Sequence, residues 1–239
     1  PVLRWLLTKK GMMTSVGCDH GAFVKTTPAC DQADLQVRFL AAKALGPDGM
    51  TTYTKFRSTR SVEDGYSFQS VAIRAKSKGR VRLASSNTHV KPSIDGGYLS
   101  NSEDIATLRE GIKLGRALGN RPEWGAYLGQ EVYPGTHIQT DDQIDEYIKN
   151  SVHTANALTG TCKMGVGKDA VVDPELRVIG VNGVRVADSS VIPCITGGQT
   201  GTPTVMIADR AAAFISNPST MTAVYSTDEV EPARAVATA

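Results

Sequence analysis

No run of about 18 apolar residues occurs in the sequence, so it holds no candidate for a bilayer-crossing helix. Charge of one sign is also lacking. The 26 Lys and Arg against 24 Asp and Glu leave a net charge of +2, too little to argue for nucleic acid or an anionic membrane as partner. There is no Gly-x-Gly-x-x-Gly anywhere, so the turn that opens a dinucleotide-binding fold is missing. The four cysteines, Cys18, Cys30, Cys162 and Cys194, fit neither zinc-ligand spacing nor a C-x-x-C redox pair, and no metal site is expected. Such scattered thiols point to a reducing compartment. The first ten residues have a short apolar core and no cleavage pattern, unlike a signal peptide. The sequence starts at Pro1 and is read as the C-terminal part of a longer protein, with any targeting segment outside it.

What is present is an ordinary globular composition, 41% hydrophobic and 21% charged over 239 residues, enough for one large domain or parts of two. Residues 34–40 alternate, with Leu35, Val37 and Phe39 on one side and Gln36 and Arg38 on the other, which predicts a half-buried strand. Residues 66–74 and 80–85 read as two further strands joined by a polar turn, hence a hairpin. An antiparallel sheet follows from short connections of this kind.

Two amphipathic helices come next. Ile105, Leu108, Ile112 and Gly115 form one stripe with Ser102 as cap; Ile144, Ile148 and Val152 form another, capped by Asp141 or Asp142. Residues 121–140 between them read as a loop. Short strands are expected at 171–174, 176–180 and 184–188, the last ending in Asp188. A helix is expected over 204–215, with Met206, Ile207, Ala211 and Phe214 available for burial. The 217–239 tail has no apolar period and is expected to be disordered.

The turn Gly197-Gly-Gln-Thr-Gly-Thr-Pro203 before that last helix has the chemistry of an anion cradle. Free amides at a helix N-terminus stabilise negative charge, and glycine lets the backbone come close to a ligand. The turn with Gly201 therefore suits the pyrophosphate of a dinucleotide, and Asp188 suits a hydrogen bond to a sugar or a phosphate-linked group.

The ordered string Gly160-Thr-Cys-Lys-Met-Gly165, Asp188-Ser-Ser-Val-Ile-Pro193 and Gly197-Gly-Gln-Thr-Gly201 resembles the C-terminal signature of the glucose-methanol-choline (GMC) flavoproteins. Upstream, Gly17-Cys-Asp-His-Gly21, Asp34-Leu-Gln-Val-Arg-Phe39, Asp48-Gly-Met-Thr-Thr-Tyr53 and His153-Thr-Ala-Asn156 are similar to one branch, the fatty acid photodecarboxylases of microalgae.

The resemblance implies an α/β (α+β) fold. Residues 1–155 would be mainly an antiparallel-sheet substrate domain, and 156–216 the C-terminal part of a Rossmann-like FAD-binding domain. It implies FAD as cofactor, a long-chain fatty acid as substrate, the protein's own N-terminal part as partner and a chloroplast location. By the same resemblance Cys18 and Arg38 are catalytic. Tyr53, Gln69, Asn156 and Gly201 lie near the substrate, with Cys18 and Arg38. His153, Asn156, Asp188, Gln199, Thr200, Gly201 and Thr202 lie near the flavin.

GMC alcohol oxidases carry a catalytic His just before the Gly-Thr-Cys motif and a His or Asn in the last turn. Here Asn156-Ala-Leu-Thr159 and Gln199 stand at those places, and neither carboxamide is a general base. Alcohol oxidation with His153 as a displaced base is the second reading; a flavin-bound lipid-binding or light-sensing protein without turnover is the third.

Overall fold

The computed structural model describes residues 2–10, 14, 18, 20–44, 46–47 and 65–216; Gly17, the 48–53 motif with Tyr53, and the 217–239 tail lie outside them. The described chain makes two compact units. One is built from residues up to 156 together with 195–198, the other from 157–194 and from 199 onward.

The first unit mixes helices with antiparallel sheet. It has α1 (Val2–Thr8), β1 (His20–Val24), β2 (Leu35–Leu40), β3 (Ser67–Ala72), β4 (Arg80–Arg82), β5 (Ser93–Asp95), α2 (Ser102–Gly119) and α3 (Asp141–Ser151). The three-stranded sheet runs β1-β2-β3, antiparallel throughout, with β2 in the centre. The alternation along β2 does what its pattern predicts: Leu35 and Val37 are buried, while Gln36 and Arg38 point to the other face and stay half-buried.

The predicted hairpin over 66–85 is not formed. β3 pairs back to β2, and β4 pairs with β5 in a separate two-stranded sheet. The reason is local. Past β3 the amides of Lys76 and Ser77 both donate to the buried Asp104 carboxylate, each at 2.8 Å, which pulls the chain toward the start of α2 instead of back along the strand.

α2 packs on the apolar face of the sheet through Gly111 and Gly115. A Cβ at Gly111 would stand 2.6 Å from Ser70 Oγ and 2.7 Å from Ser70 Cβ, and one at Gly115 would stand 3.4 Å from Phe68 Cβ. Phe39, Tyr66, Phe68 and Trp124 close that side, with the Tyr66 and Trp124 rings stacked at 4.7 Å. Its cap is Asn101, one residue earlier than expected, and the cap of α3 is Thr140 with Gln143 in a capping box, not an aspartate. Threonine and Gln143 satisfy two end groups reciprocally, which a single Asp does not. Between α2 and α3, Arg116 holds the loop. Its guanidinium binds both oxygens of Glu131 and the carbonyls of Gly135 and Ile138.

β1, not foreseen as a strand, joins β2 through a turn gathered on Asp34. That carboxylate accepts from the Thr26 amide at 2.8 Å, the Thr26 hydroxyl and the Cys30 thiol. Desolvation pushes the Asp34 carboxyl up, but these hydrogen bonds outweigh it and hold the group below the usual carboxylate range. A depressed carboxylate stabilises the fold above its unfolded pKa and stops doing so as pH falls through its folded one. Asp34→Asn is therefore expected to lower the melting temperature at pH 7. The difference from wild type should close below about pH 4 in a pH series of thermal melts.

The second unit buries Val172, Leu176, Val191, Ile192, Ile207, Ala211 and Phe214 in one cluster. The strands expected at 171–174, 176–180 and 184–188 are isolated bridges: Met164 with Val172, Val172 with Val178, Arg177 with Arg185. Each run is too short between Pro174, Gly180 and Gly183 to build a ladder, and the glycines take φ of +81° and +78°. α4 (Gly201–Ser216) begins three residues before its predicted start and buries Ile207, Ala211 and Phe214; Met206 is exposed, not buried.

Candidate active site

In the first unit, the polar face of the sheet collects the residues of interest. In an antiparallel pair, directly opposed residues share a face. Arg38 is opposite Gly21 on one side and Gln69 on the other; Gln36 is opposite Phe23 and Val71. Gly21 is needed there because a Cβ would come within 2.8 Å of the Val37 carbonyl oxygen. Arg38 Nε donates to Gln36 Oε1 at 3.0 Å, and its NH1 reaches Gln69 Oε1 at 3.5 Å. Phe23 is exposed and Val71 half-buried, so apolar residues lie opposite Gln36 on the face that also carries Arg38.

Cys18 lies two residues before β1, half-buried, its thiol directed at the His20 carbonyl at 3.8 Å. It sits off the end of the β1–β2 pair, where His20 faces Phe39; Arg38 is one register position further in.

α3 ends at Ser151, with Val152 as its C-cap, and delivers His153. The half-buried ring has Nδ1 2.8 Å from the Thr154 carbonyl. A carbonyl only accepts, so Nδ1 donates this bond and Nε2 takes no part in it. Asn156 is exposed in the left-handed region at φ +59°, its amide bonded to Thr154 Oγ1. Asparagine is among the few residues that tolerate this conformation.

Gly197 belongs to this unit and has a structural duty: a Cβ there would stand 2.7 Å from the Arg74 guanidinium. Arg74 in turn binds the Ala33 carbonyl at 3.0 Å and the Gln32 side chain.

In the second unit, Asp188 is not a strand end. It caps the 3-10 turn Ser189–Val191, Oδ1 accepting from the Ser190 amide at 2.8 Å. Hydrogen bonds from Ser190 hold its carboxyl below the usual range. The 160–164 segment runs beside this turn, with Cys162 and Met164 amides bonded to the Ser190 and Val191 carbonyls.

Thr200 is buried, and its carbonyl accepts the Thr204 amide at 3.0 Å and the Thr204 hydroxyl at 2.7 Å. The first-turn amides of Gly201 and Thr202 have no acceptor within the helix. Nothing lies within 4 Å of a Cβ built on Gly201 or on Gly198, and Gln199, Gly201 and Thr202 are exposed. The residues at the start of α4 thus fit an anionic group that approaches the backbone, as FAD's pyrophosphate does.

Sequence reading missed Gln36, Phe23 and Arg74. The first carried a signal, since it alternates in phase with Arg38; Phe23 and Arg74 became visible only through strand pairing and the Gly197 approach.

The GMC oxidoreductase family model matches residues 75–208, and the chain belongs to that family, whose members are FAD flavoproteins. Among curated relatives, the chloroplastic fatty acid photodecarboxylase of Chlamydomonas reinhardtii is 41% identical over 227 residues, 92% of this chain and 37% of that protein. The oxygen-dependent choline dehydrogenase of Brucella melitensis biotype 1 is 38% identical over 217 residues, 89% of this chain and 38% of that one. Among solved structures, pyridoxine 4-oxidase from Mesorbium loti superposes with a TM-score of 0.70 at 26% identity, covering 82% of this chain and 37% of that one. The chain therefore spans well under half the length of the proteins it matches. No helix among the described residues is long and apolar enough to cross a membrane.

Proposed function

We propose that this chain carries the substrate site and the flavin-closing segment of a light-driven, FAD-dependent fatty acid decarboxylase. Residues up to about 155 would form the substrate domain, and 156–216 would complete the FAD site together with the protein's N-terminal part. The observation that carries the reading is Arg38, a half-buried guanidinium held by two carboxamides on the face that also carries the apolar Phe23 and Val71. Greater similarity to a photodecarboxylase than to a choline dehydrogenase, 41% against 38% identity, leans the same way.

The reaction is RCOO⁻ + H⁺ → RH + CO2, with no net oxidation. FAD, when bound, supplies blue-light absorption and the capacity to take one electron from a carboxylate. Arg38 holds the carboxylate ionised and oriented by a bidentate fork. Gln69 and Asn156 offer neutral hydrogen bonds to it, and Phe23 and Val71 lie along the start of the acyl chain. Tyr53 is assigned to the same site by resemblance. Cys18 is assigned by resemblance to orient the substrate or to give hydrogen to the alkyl fragment. His153, Asp188, Gln199, Thr200, Gly201 and Thr202 are assigned to the flavin. A chloroplast location follows that of the Chlamydomonas relative.

A second reading, GMC-type alcohol oxidation, is favoured by one observation. The Nδ1 of His153 donates to a carbonyl, and Nε2, outside that bond, accepts a proton when the ring is neutral.

The test is palmitate given to the FAD-loaded protein in the dark and under blue light, with headspace CO2 and pentadecane assayed. Light-dependent pentadecane is expected. Bleaching of the flavin band by an alcohol in the dark, with no pentadecane in light, would replace the first reading with the second.

A further inference from the structure

Most hydrogen-bonded arginines among the described residues are held by carboxylates, whereas Arg38, like Arg74 and Arg185, is held by neutral acceptors. Arg109 binds Asp145 and Asp141, Arg116 binds Glu131, and Arg121 binds Glu123. In the second unit Arg177 binds Asp173 and Glu175. Arg38 has no carboxylate partner among the described residues. Its Nε–H goes to Gln36 Oε1 and its NH1 to Gln69 Oε1.

The amide orientation is fixed by chemistry: Nε–H only donates, so the oxygen of Gln36 must face it. Gln36 is two residues from Arg38 on the same strand and the same face, and the strand locks its backbone. The Nε bond spends the inner edge of the guanidinium and sets its plane. NH1 also reaches Gln69, so its second hydrogen and those of NH2 are left for a planar, two-oxygen ligand.

We infer that Gln36 is a positioning and specificity-determining residue, a neutral clamp that orients Arg38 without cancelling its charge, so that the site selects a carboxylate over an uncharged lipid head. This rests on the reading of Arg38 as the carboxylate anchor. A glutamate at position 36 has almost the same shape and would keep the Nε contact. It would also supply the anion in advance and compete with the substrate for the same cation. Gln36→Met keeps the length and removes only the acceptor.

The experiment is equilibrium binding of radiolabelled palmitate and of 1-hexadecanol, in the dark, to wild type, Gln36→Glu, Gln36→Met and Arg38→Ala. Wild type should bind palmitate in preference to the alcohol, and Arg38→Ala should lose that preference. Gln36→Glu should weaken palmitate binding by at least about tenfold while hexadecanol binding stays within twofold of wild type; Gln36→Met should fall between. A merely structural role for Gln36 would weaken both ligands alike. Palmitate binding by Gln36→Glu equal to wild type, with Arg38→Ala impaired, would overturn the clamp and leave the anchor standing. No palmitate preference in wild type, or undiminished binding in Arg38→Ala, would remove the anchor and the clamp with it.

Discussion

On the proposed reading, Arg38→Ala is expected to lower light-driven hydrocarbon formation by about a hundredfold or more while the flavin absorbance of the purified protein is unchanged. Losing one partner of a desolvated, hydrogen-bonded charge pair costs roughly 2–5 kcal/mol, or about 30- to several-thousand-fold. The two carboxamides that remain, Gln36 and Gln69, bring no positive charge and cannot substitute. The carboxylate would then keep only neutral hydrogen bonds and its acyl chain, with no counterion. Arg38→Lys separates charge from shape. It keeps the cation and loses the fork, and it should retain a few per cent of activity with a raised KM. The check is pentadecane yield per absorbed photon together with a flavin spectrum. Full activity in Arg38→Ala would end the assignment of the site to this face of the sheet.

Gly111→Val is expected to lower stability strongly. A Cβ at that position already stands 2.6 and 2.7 Å from Ser70 and 3.1 Å from Leu35 Cδ1. Ser70 Cβ is anchored to the β3 backbone and cannot swing aside. The helix must lift, or β3 must shift. Overpacking of this kind costs about 1–3 kcal/mol, and disturbing the Leu35 contact brings the total to roughly 3. That corresponds to a fall in melting temperature of about 6–12 °C for a unit of this size. Gly111→Ala sets the same clash against a gain of about 1 kcal/mol in helix propensity and should fall by less. Activity should drop as well, because Gln69 is the neighbour of Ser70 on β3. An unchanged melting temperature in Gly111→Val would mean that α2 does not ride so close to the sheet.

The elements that were legible in the sequence are those whose own side chains determine them. β2 could be read because Leu35, Val37 and Phe39 alternate with Gln36 and Arg38 over one full strand. α2 and α3 could be read because their apolar stripes recur at 3.6 residues. Their caps were misplaced by one residue or more, since Asn101 and Thr140 compete with equally good neighbours.

Pairing was not legible. Residues 66–85 look like a hairpin because two strand-like runs flank a polar turn, yet β3 finds its partner in β2, and the Asp104 carboxylate that diverts the chain is 27 residues away from Ser77. β1 was missed because Gly21 reads as a loop residue when its real constraint is the Val37 carbonyl across the sheet. The bridges of the second unit read as strands because single apolar residues repeat there without a continuous partner. As for the candidate site, Arg38 was visible as the residue out of phase with the core. Gln36 alternates in phase with it and Gln69 was assigned by resemblance, but their contacts with Arg38, and the nearby Phe23, depend on register between strands and were not legible.

The Arg116 guanidinium reaches Glu131, Gly135 and Ile138 from α2, so one cation fastens three points of a stretch with no ladder of its own. Those bonds cannot fail one at a time. When the guanidinium lets go, Glu131 also loses the partner that holds it near the Gly135 amide. The 131–138 stretch is therefore expected to open as one unit when Arg116 is replaced, with faster amide exchange there than in the sheet.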